Sequence, residues 1–293
     1  MDDQKLSLKT RFLNVFRTPL THKAVDGVLS RATQGQHPES ILARIPPSNL
    51  LYPRPSIRRV QRDGLEFELD ISDFVEWVIY YGIATEPRGK LANLARPGDT
   101  VLDIGANVGE TTLRFSRRVG PAGKVYCFEP NPPVRAKLER NIALNRFTNI
   151  EVMPLGVGDA EATLKLSSPS PHNRGGNRIL ENPVGDFVEV RVVPLDTLVA
   201  EKGIERVDVV KIDVEGFELR ALKGGKKTLE RWKPILFIEI SDETLRGAGT
   251  SPSEVLAFVE ELGYELRHAE TDARLSSKDN FDGQHFDVVC RPK

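Results

Sequence analysis

The chain has 293 residues, 39% hydrophobic and 28% charged, which supports one large folded domain, or one domain and an extension, and excludes a disordered or fibrous chain. A formal net charge of −1 gives no global attraction to nucleic acid. No apolar run approaches the roughly 18 residues of a membrane span, no signal-peptide core opens the chain, and Cys127 and Cys290 sit in apolar strand-like runs as buried fillers, so the expected compartment is cytoplasmic.

The charge is uneven. Residues 1–60 hold ten Lys/Arg and four Asp/Glu, a balance of +6, and the rest hold 31 against 38, a balance of −7. This implies a basic arm, residues 1–56, on an acidic body, residues 57–293. In the arm, Leu8, Phe12, Val15 and Phe16 share one helical face, flanked by Lys5, Lys9, Arg11 and Arg17, and a second helix is expected from His22 to Arg31. Pro38, Pro46, Pro47, Pro53 and Pro55 then favour an extended path. The arm reads as a helical appendage on the body or a homodimer contact. The alternatives are a lid, or a surface for an anionic substrate or a peripheral membrane contact.

Residues 57–71 alternate and turn at Asp63-Gly64, a hairpin signal. A helix is expected from Phe74 to Tyr81, ending at Gly82. Its aromatics Phe74, Trp77, Tyr80 and Tyr81 read as core, with a substrate pocket as the alternative. A short helix, Leu91 to Ala95, leads through Pro97-Gly98 to the stretch TVLDIGANVGETT, residues 100–112. Val101, Leu102 and Ile104 form a buried strand, Asp103, Gly105, Asn107 and Gly109 a turn, and the residues after Gly109 open a helix with an inward face of Val108, Thr112, Phe115 and Val119. Strand, glycine turn and helix start together bind nucleotide-like ligands. A dinucleotide site wants glycine where Asn107 and Glu110 stand, and a carboxylate at a helix start repels a pyrophosphate. The turn therefore suits a ligand without phosphate, such as S-adenosylmethionine, over NAD(P).

A second strand, Lys124 to Phe128, ends at Glu129, placed to accept hydrogen bonds from both hydroxyls of a ribose. A helix with Val134, Leu138 and Ile142 inward and a third strand, Ile150 to Leu155, follow. Asp159, in the GVGD turn, is either a contact for an adenine amino group or a turn former. Residues 167–186 form a long polar loop with His172, Asn173, Arg174 and Asn177. After a further strand, Phe187 to Val193, and a helix from Leu195, the fourth core strand, Val207 to Ile212, ends at Asp213. The next helix is interrupted at Gly224-Gly225, and the fifth strand, Pro234 to Ile240, bears Glu239. Ser251 to Glu254 is a capping box, and Tyr264 to His268 and His285 to Cys290 read as closing strands. Alternating strands and helices predict an α/β fold, a doubly wound, mostly parallel sheet of seven strands with an N-terminal helical extension. Asp103, Glu129, Asp213 and Glu239 fall at or near the carboxyl ends of those strands, where ligands bind in such sheets.

DIGANVG (103–109), FEPN (128–131), GVGD (156–159), KIDVEGFE (211–218), LKG (222–224) and the strand with Glu239 resemble the FkbM-type methyltransferases, over about residues 99–239. The resemblance implies the class I, Rossmann-like methyltransferase fold. It also implies S-adenosylmethionine-dependent O-methylation of a hydroxyl on a small molecule such as a sugar, glycolipid or natural product. It places Asp103, Gly105, Asn107 and Gly109 around the methionine tail, Glu129 on the ribose, and Asp213 near the methyl group with Lys211 and Glu215 close by. Asp213, Glu215 and His172 are the candidate bases for the acceptor hydroxyl. Asp213 with Glu239 offers oxygen ligands to a divalent metal, but no tight ligand loop is visible and no metal is expected. A non-catalytic cofactor-binding interaction module is the alternative, and an NAD(P)-dependent dehydrogenase is disfavoured by Asn107 and Glu110.

Overall fold

The computed structural model describes residues 16–83, 91–168, 176–179 and 186–293. Leu8, Phe12 and Val15 of the first arm helix, and His172, Asn173 and Arg174 of the long loop, lie outside the described residues. The chain divides into two compact units, Met1–Gly89 with Ser168–Gly175, and Lys90–Ser167 with Gly176–Lys293. The hairpin and the Phe74 helix group with the N-terminal residues in the first unit.

In the first unit, 3₁₀ turns at Thr18–Thr21, Leu42–Arg44 and Asn49–Leu51 accompany helix α1 (Lys23–Thr33), the hairpin β1 (Ile57–Arg62) and β2 (Leu65–Asp70), and helix α2 (Phe74–Tyr81). Asp63 (φ 49°) and Gly64 (φ 77°) make the hairpin turn, both left-handed as a two-residue loop demands. Asp73 caps α2 by accepting from Val75 N and Glu76 N, and Gly82 ends it in the left-handed conformation. Leu65, Phe67, Leu69 and Ile71 are buried beside Ile79, Tyr80 and Tyr81.

Helix α1 is held by polar contacts. Its buried residues are Asp26, Ser30 and Thr33. The Asp26 carboxylate, fully buried, accepts from Arg58 Nε (2.9 Å) and Nη2 (2.7 Å) and from Tyr80 Oη (2.9 Å). Arg62 donates to Ser30 O, Ser30 Oγ, Ile79 O and Tyr80 O, and Thr33 Oγ1 donates to Tyr81 O at 2.6 Å. These bonds tie the arm helix to the hairpin and satisfy the last carbonyls of α2. Removing one partner of a buried ion pair strands the other charge, so Arg58→Ala is expected to destabilise the chain by about 3–5 kcal/mol in urea unfolding.

The second unit opens with a 3₁₀ turn, Ala92–Leu94, and continues β3 (Thr100–Ile104), α3 (Glu110–Val119), β4 (Lys124–Phe128), α4 (Pro132–Asn145), β5 (Ile150–Met153), β6 (Gly156–Gly158), β7 (Ala162–Ser167), β8 (Arg178–Ile179), β9 (Phe187–Pro194), α5 (Leu195–Glu201), β10 (Val209–Ile212), α6 (Glu218–Gly224), α7 (Lys226–Trp232), β11 (Ile235–Ser241), α8 (Asp242–Gly247), α9 (Pro252–Glu261), β12 (Tyr264–His268), β13 (Arg274–Leu275) and β14 (His285–Pro292). The main sheet runs β13-β12-β14-β11-β10-β3-β4-β5. From β11 to β5 the neighbours are parallel, and β14 is antiparallel to β11 and β12. The seven expected strands are all there, and the eighth is the two-residue edge strand β13. A separate four-stranded sheet, β6-β9-β7-β8, carries the segment read from sequence as a turn and isolated strands.

Strand alternation sends Leu102, Ile104, Val210, Ile212, Leu236 and Ile238 to one face of the main sheet, under α5 to α9. Val101, Val125, Val209 and Phe237 go to the other, against Phe115 and Val119 of α3. Cys127 and Cys290 are free and buried within the sheet, and burial holds both thiols well above their ordinary pKa. Among the described residues no helix is long and apolar enough to cross a membrane.

Candidate active site

The parallel order reverses at β3, with β4 on one side and β10 on the other, and the crevice of such a sheet opens at the carboxyl ends there. Lys211 pairs in register with Asp103. The period of two therefore puts Asp103, Lys211 and Asp213 on one face at that end. Lys211 is only 4% exposed, and Asp103 is fully buried. Lys211 Nζ donates to Gly105 O at 2.7 Å, lies 3.1 Å from Asp213 Oδ2, and stands 3.6 Å from Asp103 Oδ1. Burial works to lower the Lys211 pKa, but Asp213 and Asp103 outweigh it and hold it above its ordinary value. The group is an ammonium, which positions its neighbours and takes no proton. Asp103 Oδ2 accepts from Thr111 Oγ1 (2.8 Å) and Thr112 Oγ1 (2.5 Å), joining the strand to the start of α3.

The turn between β3 and α3 needs left-handed backbone at Gly105 (φ 83°), Asn107 (φ 50°) and Gly109 (φ 94°). Asn tolerates that region better than other residues with a Cβ. A Cβ on Gly105 would stand 1.8 Å from Asp213 O, so this turn lies directly on the exit of β10. Asn141 of α4 braces it further, its Nδ2 donating to Val108 O at 2.9 Å.

Glu129, at the end of β4, is 6% exposed. Its Oε2 accepts from Asn107 N and its Oε1 from Asn131 N, both at 2.9 Å. Burial pushes its carboxyl up to about 7, against the opposing pull of those N–H groups, Lys211 and Arg135. Two oxygens keep lone pairs for hydroxyl donors after these bonds. Among the described residues, Asp103 Oδ1, ion-paired with Lys211, and Asn131 Oδ1 are buried without a hydrogen-bond partner, which leaves acceptors on both sides of the turn. With Glu110 opening α3, the surroundings fit a nucleoside bearing hydroxyls and a cationic tail and do not fit a pyrophosphate.

Across the rim, Asp213, Glu215 and Glu239 bring carboxylate oxygens within 4.8 Å of one another. Glu215 has φ 52°, an uncommon conformation for a side chain of its size. The loop is pinned from behind by Glu218, whose carboxylate accepts from Val214 N and Gly216 N, and by Gly216, where a Cβ would meet Thr244 O at 2.5 Å. Burial first, then Glu239 and Asp213, push Glu215 up to about 8. Glu239 is raised by burial and by its hydrogen-bonded neighbour Asp213. His285 Nε2 lies 3.1 Å from Glu239 Oε1, and that bond raises His285 to about 9. No metal was expected from sequence, since the ligands form no local loop. The structure instead gathers three oxygen donors from two strand ends and one loop, close enough to share one divalent cation.

The sequence-derived residues thus meet in two groups joined by Lys211. Asp103, Gly105, Asn107, Gly109 and Glu129 form one, and Asp213 and Glu215 the other. Asp159 stands apart, exposed on the turn after β6, with no hydrogen bond or ion pair to the others. His285 was read only as a strand start. Its pairing with Ser241 brings it to the carboxyl end of β11, and no local motif signals that.

The sheet order and the phosphate-free glycine turn define a Rossmann-like α/β protein of the class I methyltransferase type. The model of the methyltransferase FkbM domain matches residues 103–266, and the chain belongs to that family, an S-adenosylmethionine-dependent methyltransferase. The chain is similar to methyltransferase sdnD of Sordaria araneosa, 28% identical over 71% of this chain and 88% of that protein. It is likewise similar to the 2-O-methyltransferase NoeI of Sinorhizobium fredii NGR234, 32% identical over 52% of this chain and 67% of that one. Among solved structures, methyltransferase FkbM from Methylobacillus flagellatus KT superposes with a TM-score of 0.42 and 17% identity, covering 74% of this chain and 52% of that chain.

Two outcomes follow from the geometry. Gly105→Ala is expected to abolish binding of S-adenosylhomocysteine in calorimetry, because the new methyl overlaps Asp213 O and the backbone is left-handed there. If Glu129 accepts the ribose hydroxyls it does so best as a carboxylate, so affinity for S-adenosylhomocysteine should then weaken as pH falls through about 7. Glu129→Gln should flatten that pH dependence and weaken binding by about 1.5–3 kcal/mol at pH 8.

Proposed function

We propose that this methyltransferase acts on a hydroxyl oxygen of a small polyhydroxylated molecule, such as a sugar, glycolipid or natural product. The observation that carries the reading is the convergence of Asp213, Glu215 and Glu239, with His285 on Glu239, beside the glycine turn. Acceptors with several O–H donors match a rim of carboxylates. NoeI, a 2-O-methyltransferase, supports oxygen as the acceptor atom.

When bound, S-adenosylmethionine supplies a sulfonium methyl to the acceptor oxygen and leaves as the neutral thioether. The chain supplies position and a base. Glu129 would hold the ribose, and the turn at Gly105 to Gly109 would cradle the tail. Lys211 fixes Asp213 against that turn, and its ammonium engages one Asp213 oxygen, so Asp213 orients ligands rather than accepting the proton. Glu215 is the base: among the described residues no cation is hydrogen-bonded to it, Arg178 acting only through space, and its raised pKa lies near the operating range. Glu215 would accept the acceptor O–H proton while the surrounding residues hold that hydroxyl in place.

A second reading has its own observation, the 4.8 Å carboxylate group, in which a divalent cation polarises the acceptor hydroxyl instead. One experiment covers both: methyl transfer from labelled S-adenosylmethionine to a panel of polyols. Glu215→Gln should lower kcat by about 10²–10⁴-fold with little change in cofactor affinity. Wild-type kcat should rise with pH up to about 8 and be lost below, as Glu215 becomes protonated. Loss of wild-type turnover in chelator, restored by Mg²⁺ or Mn²⁺, would move the role to the cation. Unchanged turnover of Glu215→Gln, insensitive to chelator, would end both.

A further inference from the structure

Helix α1 has its polarity reversed. Its inward residues are Asp26, Ser30 and Thr33, and its outward ones include Ala24, Val28 and Ala32, with Val28 62% exposed. Among the described residues, nothing covers Ala24, Val28 and Ala32 on the outward side of this helix. Around it the first unit exposes more large apolar side chains: Phe16 at 64%, Ile41 at 82%, and Leu42 and Ile45 at 43% and 37%. They share one neighbourhood. The turns Thr18–Thr21 and Leu42–Arg44 both pack beside α1, and Arg17 Nη2 donates to Arg44 O at 2.8 Å. Of the large hydrophobic side chains exposed among the described residues, five of eight fall within residues 16–45, so the exposure is concentrated rather than scattered.

The charges interleaved with them are basic. Residues 16–45 carry Arg17, Lys23, Arg31 and Arg44, against Asp26 and Glu39. Asp26 is buried and neutralised by Arg58, so Glu39 is the one exposed acid of the segment. We propose that this face of the first unit docks on a lipid bilayer bearing anionic headgroups. Val28, Phe16 and Ile41 would enter the acyl boundary, while the long stems of Arg31 and Arg44 lie on apolar surface and carry their charges to headgroup phosphates. A second copy of the chain is a poorer occupant. A two-fold contact would bring the same four basic residues together with only Glu39 to answer them.

The test is co-sedimentation of the full chain with vesicles of phosphatidylcholine, with and without about 30% phosphatidylglycerol. Binding is expected to the anionic vesicles and not to the neutral ones, and to fall at least about tenfold in about 0.5 M NaCl, where screening is nearly complete. Val28→Glu with Ile41→Glu should lower it at least about tenfold, with circular dichroism and S-adenosylhomocysteine affinity unchanged, because the inward hydrogen bonds of α1 are untouched. Arg31→Ser with Arg44→Ser keeps the apolar face and should lower anionic-vesicle binding as well. Absence of binding to anionic vesicles, equal binding to neutral ones, or binding indifferent to both variant pairs would each overturn the proposal. So would a dimer in analytical ultracentrifugation that Val28→Glu with Ile41→Glu dissociates while vesicles go unbound.

Discussion

The second unit depends on one buried cation. An ammonium at 4% exposure is tolerated only where carboxylates and a carbonyl surround it, and Lys211 has Asp103, Asp213 and Gly105 O. Each partner comes from a different part of the site: the central strand, the exit of β10 and the glycine turn. One group thus locks the two strand exits at the point where the order of the sheet reverses. Without it, Asp103 and Asp213 would be left as buried or half-buried like charges with nothing between them. The glycine turn would lose the donor that holds its first carbonyl.

From that lock the rim divides by chemistry. Toward β4, the acceptors Glu129, Asp103 Oδ1 and Asn131 Oδ1 suit a ligand rich in donors. Toward β11 and β14, Asp213, Glu215, Glu239 and His285 crowd together; burial and the neighbouring carboxylates raise Glu215 and Glu239, while the bond to Glu239 raises His285. A field of this sign favours ligands that bring positive charge or several hydroxyl groups. The family assignment and the local electrostatics therefore point the same way from independent observations.

Much of this was legible in the sequence because it is local. The Asp63-Gly64 hairpin, the α2 helix between Asp73 and Gly82, the cap at Ser251 and the run DIGANVG each carry their signal within a dozen residues. What was not legible depends on distant partners. The second sheet joins β6, β8 and β9, whose pairing has no sequence signature, and β8 is two residues long. The arm joins the hairpin through Asp26 and Arg58, 32 residues apart, while composition alone suggested a break between them. Helix α1 inverts the ordinary rule, since the polar residues face inward and apolar periodicity marks the wrong side. His285 reaches Glu239 across 46 residues through an antiparallel ladder, and nothing near position 285 announces it.

The two cysteines flank the central strands, Cys127 on β4 and Cys290 on β14, each without exposure and each with its thiolate disfavoured by burial. A thiol in that state reacts with an alkylating reagent only when its strand opens. The chain therefore carries two built-in clocks, one on each wing of the same sheet. The ratio of their labelling rates reports whether the wings open together as one cooperative body or whether the antiparallel edge frays first.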